Sequence, residues 1–138
     1  MNKSKYPSLP VLLVDDEEQF LLSASFTLSS AGINNIVECQ DSREVIQQLA
    51  DQDFELIVLD MLMPYVSGSE LLPKITQDYA DIPVVIITAV TELETAVECM
   101  KSGAFDYLVK PVDDERLVTC IQRAIEFREM RNENTLLK

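Results

Sequence analysis

Histidine and tryptophan are absent from this chain of 138 residues; glycine and cysteine occur three times each, and 11 basic residues face 24 acids. Without histidine the chain lacks the commonest general base and a common transition-metal ligand, which leaves oxygen donors and a hard cation as the metal chemistry open to it. The shortage of Lys and Arg gives a formal net charge of −13, which argues against direct binding to nucleic acid or to anionic membranes. No apolar run approaches the roughly 20 residues of a membrane span, and Met1-Asn2-Lys3-Ser4-Lys5-Tyr6-Pro7 does not read as a signal peptide, so a cytoplasmic location is expected. Cys39, Cys99 and Cys120 are odd in number, widely spaced and set among apolar residues, which favours buried thiols over disulfides or a zinc site.

What the chain does have is 47% hydrophobic residues in short runs, enough for one domain with a single layered core. The run Leu56 to Leu59 is bounded by polar residues and reads as a strand buried on both faces, central in a parallel sheet, with Asp60 at its carboxyl end. Val11 to Val14 and Val84 to Thr88 read the same way, Phe105 to Val109 as a further strand, and the partly alternating Asn35 to Cys39 as an edge strand. Helical signals lie between them. Asp16 with Gln19, Asp41 with Glu44 and Thr91 with Glu94 have capping-box spacing. Gly32 and Gly103 are expected to end the first and fourth helices. The predicted inward faces are Phe20, Leu21, Ala24, Leu28 and Ala31; Val45, Ile46 and Leu49; Leu71, Leu72 and Ile75; Leu93, Ala96, Val97 and Met100; and Leu117, Val118, Ile121, Ala124 and Ile125. Ser67-Gly68-Ser69 opens the third helix, in which Pro73 predicts an irregular or late start.

Alternating strands and helices with short links imply an α/β fold, a parallel five-stranded sheet covered on both faces by right-handed crossovers. Runs ending in Asp15/Asp16, Asp60, Thr88 and Lys110 share one mouth only if they are neighbours and the run at Ile36 lies outside them. The flavodoxin-like (βα)5 three-layer sandwich, strand order 2-1-3-4-5, meets that condition and places those side chains where ligands bind in open sheets.

Four stretches, Leu12-Leu13-Val14-Asp15-Asp16, Leu59-Asp60-Met61-Leu62-Met63-Pro64 with Gly68, Ile87-Thr88-Ala89, and Gly103-Ala104-Phe105-Asp106-Tyr107-Leu108-Val109-Lys110-Pro111, carry a resemblance. Together, in this order, they resemble the receiver domain of two-component response regulators, and the last is similar to receivers at the front of nitrogen-regulation-type transcription activators. The resemblance divides the chain into an N-terminal lead at 1–8, a receiver domain at 9–126 and a helical extension or linker at 127–138.

The resemblance implies phosphoryl transfer from a histidine kinase or phosphotransfer protein onto Asp60, with Mg2+ as cofactor. Asp16 and Asp60 would hold the metal directly, Asp15 through water, and the backbone carbonyl of Leu62 would add an oxygen. Thr88 would hydrogen-bond the phosphoryl group, Lys110 would pair with one of its oxygens, Ala89 would stay small beside it, Tyr107 would move with Thr88, and Pro111 would follow a cis peptide. Electrostatics agrees with that division of labour, because two carboxylates about 5 Å apart repel by roughly 3 kcal/mol at an effective dielectric near 20. Three of them call for a cation, and a small hard ion that takes carboxylate and phosphate oxygens is magnesium.

Two other readings stand beside this one, the first sharing a strand-end Asp nucleophile and the second sharing the fold. A magnesium-dependent phosphatase of the haloacid-dehalogenase type wants a second Asp two positions after the first, where this chain has Leu62. A flavodoxin-like cofactor binder wants a first loop rich in Ser, Thr and Gly, and Asp15-Asp16-Glu17-Glu18 would repel a phosphate there. Beyond Ile125 the chain lacks Pro and Gly, and Phe127, Met130, Asn134 and Leu137 recur as the a and d positions of a short coiled coil, which predicts pairing with a second copy.

Overall fold

The computed structural model describes residues 4–137, and side chains as far as Arg131. Strand β1 (Val11–Val14) leads to helix α1 (Glu18–Ser30), and β2 (Ile36–Cys39) leads through a 3-10 turn at Ser42–Glu44 to α2 (Val45–Asp51). They are followed by β3 (Leu56–Leu59), α3 (Gly68–Asp78), β4 (Val84–Thr88), α4 (Leu93–Lys101), β5 (Asp106–Val109) and α5 (Asp114–Leu137). All neighbouring strands are parallel, in the order β2-β1-β3-β4-β5. This is the expected flavodoxin-like topology.

Alternation along each strand divides the apolar residues between two cores. Leu12, Val14, Ile57, Leu59, Val84 and Ile86 face α2 and α3, meeting Val45, Leu49, Leu71, Leu72 and Ile75. Val11, Leu13, Val58, Val85, Ile87 and Leu108 face α1 and α5, meeting Leu21, Ala24, Leu28, Leu117, Ile121 and Ile125. Because β1, β3 and β4 are buried on both sides, their registers cannot slip by one residue without exchanging one core for the other. That fixes the positions of the polar residues immediately after them. The three cysteines are free and buried, as expected.

Several local expectations are corrected. The N-cap of α1 is Glu17 rather than Asp16, and that of α4 is Glu92 rather than Thr91; neither makes a side-chain capping bond. Glu17 turns its carboxylate to Lys110 instead, at 3.1 Å. Asp41 does cap, accepting from the Arg43 N–H at 2.9 Å, but what it starts is the 3-10 turn. Helix α3 begins promptly at Gly68, with the Ser67 hydroxyl accepting from Glu70 N–H, and runs through Pro73. Both Pro73 and Ser69, whose carbonyl loses its partner to the proline, are exposed, so the orphaned acceptor lies on the solvent face of the helix. Gly32 and Gly103 follow the ends of α1 and α4 with φ of 93° and 100°, the conformation that makes glycine useful there.

Three predicted faces are also revised. Ala31 lies exposed at the C-cap of α1, and Ile46 points to solvent. In α4 the stripe of Leu93, Val97 and Met100 is 78%, 41% and 47% exposed, and Cys99 is the residue buried beneath it. With Val109 of β5, also 41% exposed, these side chains make an apolar surface beside the carboxyl edge of the sheet.

At the opposite edge the lead and the last helix are fastened down. Asn34 and Asn35 donate backbone N–H groups to the Tyr6 carbonyl, and the Asn35 side chain reaches the carbonyls of Pro7 and Ser8. Helix α5 spans about 36 Å at 1.5 Å per residue and continues unbroken through position 126. Phe127 packs against Phe105 with tilted rings whose centroids are 5.4 Å apart, and Arg128 donates to the Asp81 carbonyl at 3.0 Å. Of the predicted seam, Phe127 is therefore partly engaged within its own domain and Met130 is 62% exposed, while the side chains of Asn134 and Leu137 lie outside the described residues.

Candidate functional site

The polar residues that end the central strands converge at the carboxyl edge of the sheet. Asp15 and Asp16 follow β1, Asp60 follows β3, Thr88 closes β4 and Lys110 follows β5. Asp15, Asp60 and Thr88 are each at most 3% exposed. Carboxylate oxygens of Asp15, Asp16 and Asp60 all lie within 4.8 Å of one another.

Lys110 is the cation that makes such crowding tolerable. Its ammonium donates to Asp15 Oδ2 at 2.7 Å, to Asp60 Oδ2 at 3.1 Å and to Glu17 Oε1 at 3.1 Å, and stands 4.4 Å from the centre of the Phe20 ring. Burial works to lower the lysine pKa, but the hydrogen bond and charge of Asp15 and the charge of Asp60 outweigh it and hold Lys110 above the ordinary lysine value. Burial pushes the Asp15 carboxyl above the usual carboxylate range, against the pull of Lys110 and of the Glu17 backbone. At 3 Å each lysine–carboxylate contact is worth about 5 kcal/mol at an effective dielectric of 20, more than the roughly 3 kcal/mol of repulsion between two carboxylates about 5 Å apart. One ammonium among three carboxylates still leaves two uncompensated negative charges. A divalent cation with a taste for oxygen would balance them, so the donor set fits Mg2+ in number, charge and hardness.

The Asp60 carboxylate is held from both sides. Leu62 N–H donates to its Oδ1 at 3.1 Å while Lys110 takes Oδ2, which fixes the rotation of the group. Gly68 N–H returns to the Met61 carbonyl at 3.1 Å, and a β-carbon at position 68 would run into the Asp60 carbonyl oxygen. Only glycine lets α3 start this close to the acid.

The remaining predicted residues form a path away from the cluster. Thr88 Oγ1 accepts weakly from Val90 N–H at 3.4 Å, and the Tyr107 hydroxyl donates to the Val90 carbonyl at 2.8 Å. Residues 88 to 90 thus connect the site to the exposed apolar side of α4 and β5. Ala89 is exposed beside them, and the Lys110–Pro111 peptide is cis. Two contributors were not singled out beforehand, Glu17 and Phe20, both of which touch Lys110. The acidic run after β1 was the available signal for Glu17, since a helix start one residue later turns its carboxylate back toward the mouth.

Comparison with known proteins gives a consistent result. Residues 11–122 match the response regulator receiver domain family. Regulatory protein AtoC of Escherichia coli (strain K12) is 33% identical over 125 residues, covering 89% of this chain and 26% of that protein. The C4-dicarboxylate transport transcriptional regulatory protein DctD of Pseudomonas aeruginosa is 33% identical over 128 residues, covering 93% of this chain and 28% of that protein. The crystal structure of NtrX from Brucella abortus superposes with a TM-score of 0.85 at 28% identity, over 95% of this chain and 30% of NtrX. The chain spans about a quarter of the length of these curated relatives. Neither a haloacid-dehalogenase phosphatase nor a flavodoxin-like cofactor binder is supported by these matches, and the chain belongs to the receiver domain family of two-component response regulators.

Proposed function

We propose that Asp60 accepts a phosphoryl group from a phosphohistidine on a histidine kinase or phosphotransfer protein. An Asp60 oxygen forms the new bond to phosphorus as the phosphorus–nitrogen bond breaks, and the imidazole nitrogen keeps the electron pair and takes up a proton. The observation that carries this reading is the Asp60 carboxylate itself, 5% exposed, clasped between Leu62 N–H and Lys110 beside two further acids.

Phosphoryl transfer of this kind asks a protein for positioning and charge neutralisation more than for covalent chemistry. Asp15, Asp16, Asp60 and the Leu62 carbonyl would hold Mg2+, which when bound supplies positive charge to the transferring oxygens. Lys110 would leave its carboxylates for a phosphoryl oxygen, and the Thr88 hydroxyl would donate to another. Tyr107, bonded to Val90, would then carry the change to the surface of α4, β5 and α5 and so control an output. The names of the relatives support transcription as that output, exerted through a further domain or a partner. The acidic surface argues against nucleic-acid contact by this chain, and no helix among the described residues is long and apolar enough to cross a membrane, which supports a cytoplasmic setting.

Incubation with acetyl phosphate and Mg2+ should give a chain carrying one phosphoryl group that hydroxylamine removes, as it does from carboxyl phosphates. A group that resists hydroxylamine would contradict transfer to an aspartate. The unbroken α5 and the exposed Met130 favour self-pairing through the extension. Sedimentation of the whole chain beside one ending at Ile125 reads that out, and two monomers at equal concentration would exclude it.

A further inference from the structure

Tyr65 is the one residue other than glycine with positive φ among the described residues, at 72°. Around it the chain makes a three-residue reversal, the Val66 N–H donating to the Pro64 carbonyl at 3.0 Å. A γ-turn with positive φ at its centre is uncommon and strained, more so with a β-carbon on the central residue. Such a conformation persists where surrounding groups over-determine it.

Those groups come from the segment after β2, in three consecutive residues. Ser42 is 3% exposed; its hydroxyl donates to the Pro64 carbonyl at 2.7 Å and accepts from the Val66 N–H at 3.1 Å, gripping both peptide groups that flank Tyr65. The Arg43 guanidinium lies 3.7 Å over the Tyr65 ring. Asp41 holds that guanidinium through Nε at 3.0 Å and Nη2 at 2.8 Å.

The turn sits in the loop that leaves Asp60. One end of the loop is tied by Leu62 N–H to Asp60 Oδ1, the other by Gly68 N–H to the Met61 carbonyl, and Ser42 ties the stretch between them. We propose that Ser42, backed by Arg43, is a positioning residue for the phosphoacceptor site. By holding the strained turn at Tyr65 it sets the direction of the Leu62 carbonyl and the rotation of the Asp60 carboxylate, the two oxygen sources this loop offers to Mg2+. The inference rests on the metal-assisted phosphoacceptor reading above, and Ser42 acts through the loop rather than on the reacting atoms.

Calorimetric titration of the whole chain with magnesium chloride, without a phosphoryl donor, tests it. Ser42→Ala is expected to bind Mg2+ about tenfold more weakly than wild type, the loss usual for a group that orients a metal ligand. Adding Tyr65→Gly should bring the affinity back to within about threefold, because glycine adopts this φ without strain. A Ser42→Ala chain with wild-type affinity overturns the proposal even if it melts earlier, since a merely structural serine changes stability and not metal binding. Failure of Tyr65→Gly to restore binding overturns it too. Should Ser42→Ala not fold, Arg43→Ala carries the test, its side chain being 57% exposed. A loss of about threefold is expected there, and unchanged affinity overturns the proposal. Wild type that takes up no Mg2+ overturns both readings, whereas binding that is equal in wild type and Ser42→Ala overturns the clamp alone.

Discussion

The Lys110 ammonium lies 3.1 Å from the Asp60 carboxylate and 2.7 Å from that of Asp15, so one largely buried lysine bridges the ends of β1 and β3. Its raised pKa means that this stabilisation is complete below the ordinary lysine value, about 10.4, and is lost only as pH rises through the still higher native value. Near neutrality it does not titrate. Lys110→Met should therefore cost the metal-free chain about 3–5 kcal/mol of stability by leaving buried carboxylates unpaired. The same change should tighten Mg2+ binding roughly tenfold, because a competing positive charge is gone. Phosphoryl uptake should fall although the metal binds better. Denaturation with and without Mg2+ checks the first two effects, and unaltered metal-free stability would show that Lys110 does not neutralise the cluster.

A second prediction follows from the hydrogen bond between the Tyr107 hydroxyl and the Val90 carbonyl. If Thr88 bonds a phosphoryl group as proposed, the segment after it is expected to shift, and Tyr107 with it. A few kcal/mol between two states suffices for such a switch. Amide exchange in the presence of a beryllium fluoride phosphate mimic should change within residues 89 to 110, next to the exposed Leu93, Val97 and Met100. Changes confined to α2 would contradict this path.

Glu55 supplies a pH test far from the site. It is 3% exposed, and among the described residues neither its Oε2 nor the buried Nε of Arg128 has a hydrogen-bond partner. Burial raises its pKa above the ordinary glutamate value; the charge of Glu129 adds to the rise, and Arg128 opposes it. With the native pKa above the unfolded one, the native chain binds the proton more tightly. Stability therefore falls as pH rises from the ordinary value, about 4.3, to the native one, and the cost is constant above that. Glu55→Gln should match wild type near pH 4 and exceed it near neutrality, as read by urea denaturation across that range. A gain independent of pH, or a loss at neutrality, would contradict the assignment.

The sheet was legible because β1, β3 and β4 are unbroken apolar runs that end abruptly on Asp15, Asp60 and after Thr88. Local pattern was a poorer guide where a side chain has two possible employers. Asp16 and Glu17 both look like helix starters, but the mouth of the sheet claims both carboxylates, and α1 starts without a side-chain cap. Periodicity identified the apolar stripe of α4 but not what covers it; a helix near the sheet edge leaves Leu93 78% exposed. The hold of Ser42 on Pro64 and Val66 was invisible for a different reason. It joins residues 22 and 24 positions apart, and nothing local to Ser42 announces a partner in the loop after β3.

The central claim is that Asp60 is the phosphoacceptor and that its reaction needs a divalent cation. Intact mass measured after incubation with acetyl phosphate tests it most directly, on wild type with Mg2+, wild type in chelator, and Asp60→Asn with Mg2+. The geometry predicts one added phosphoryl group in the first sample and none in the other two. A phosphoryl group on Asp60→Asn, or equal uptake in chelator, would contradict it.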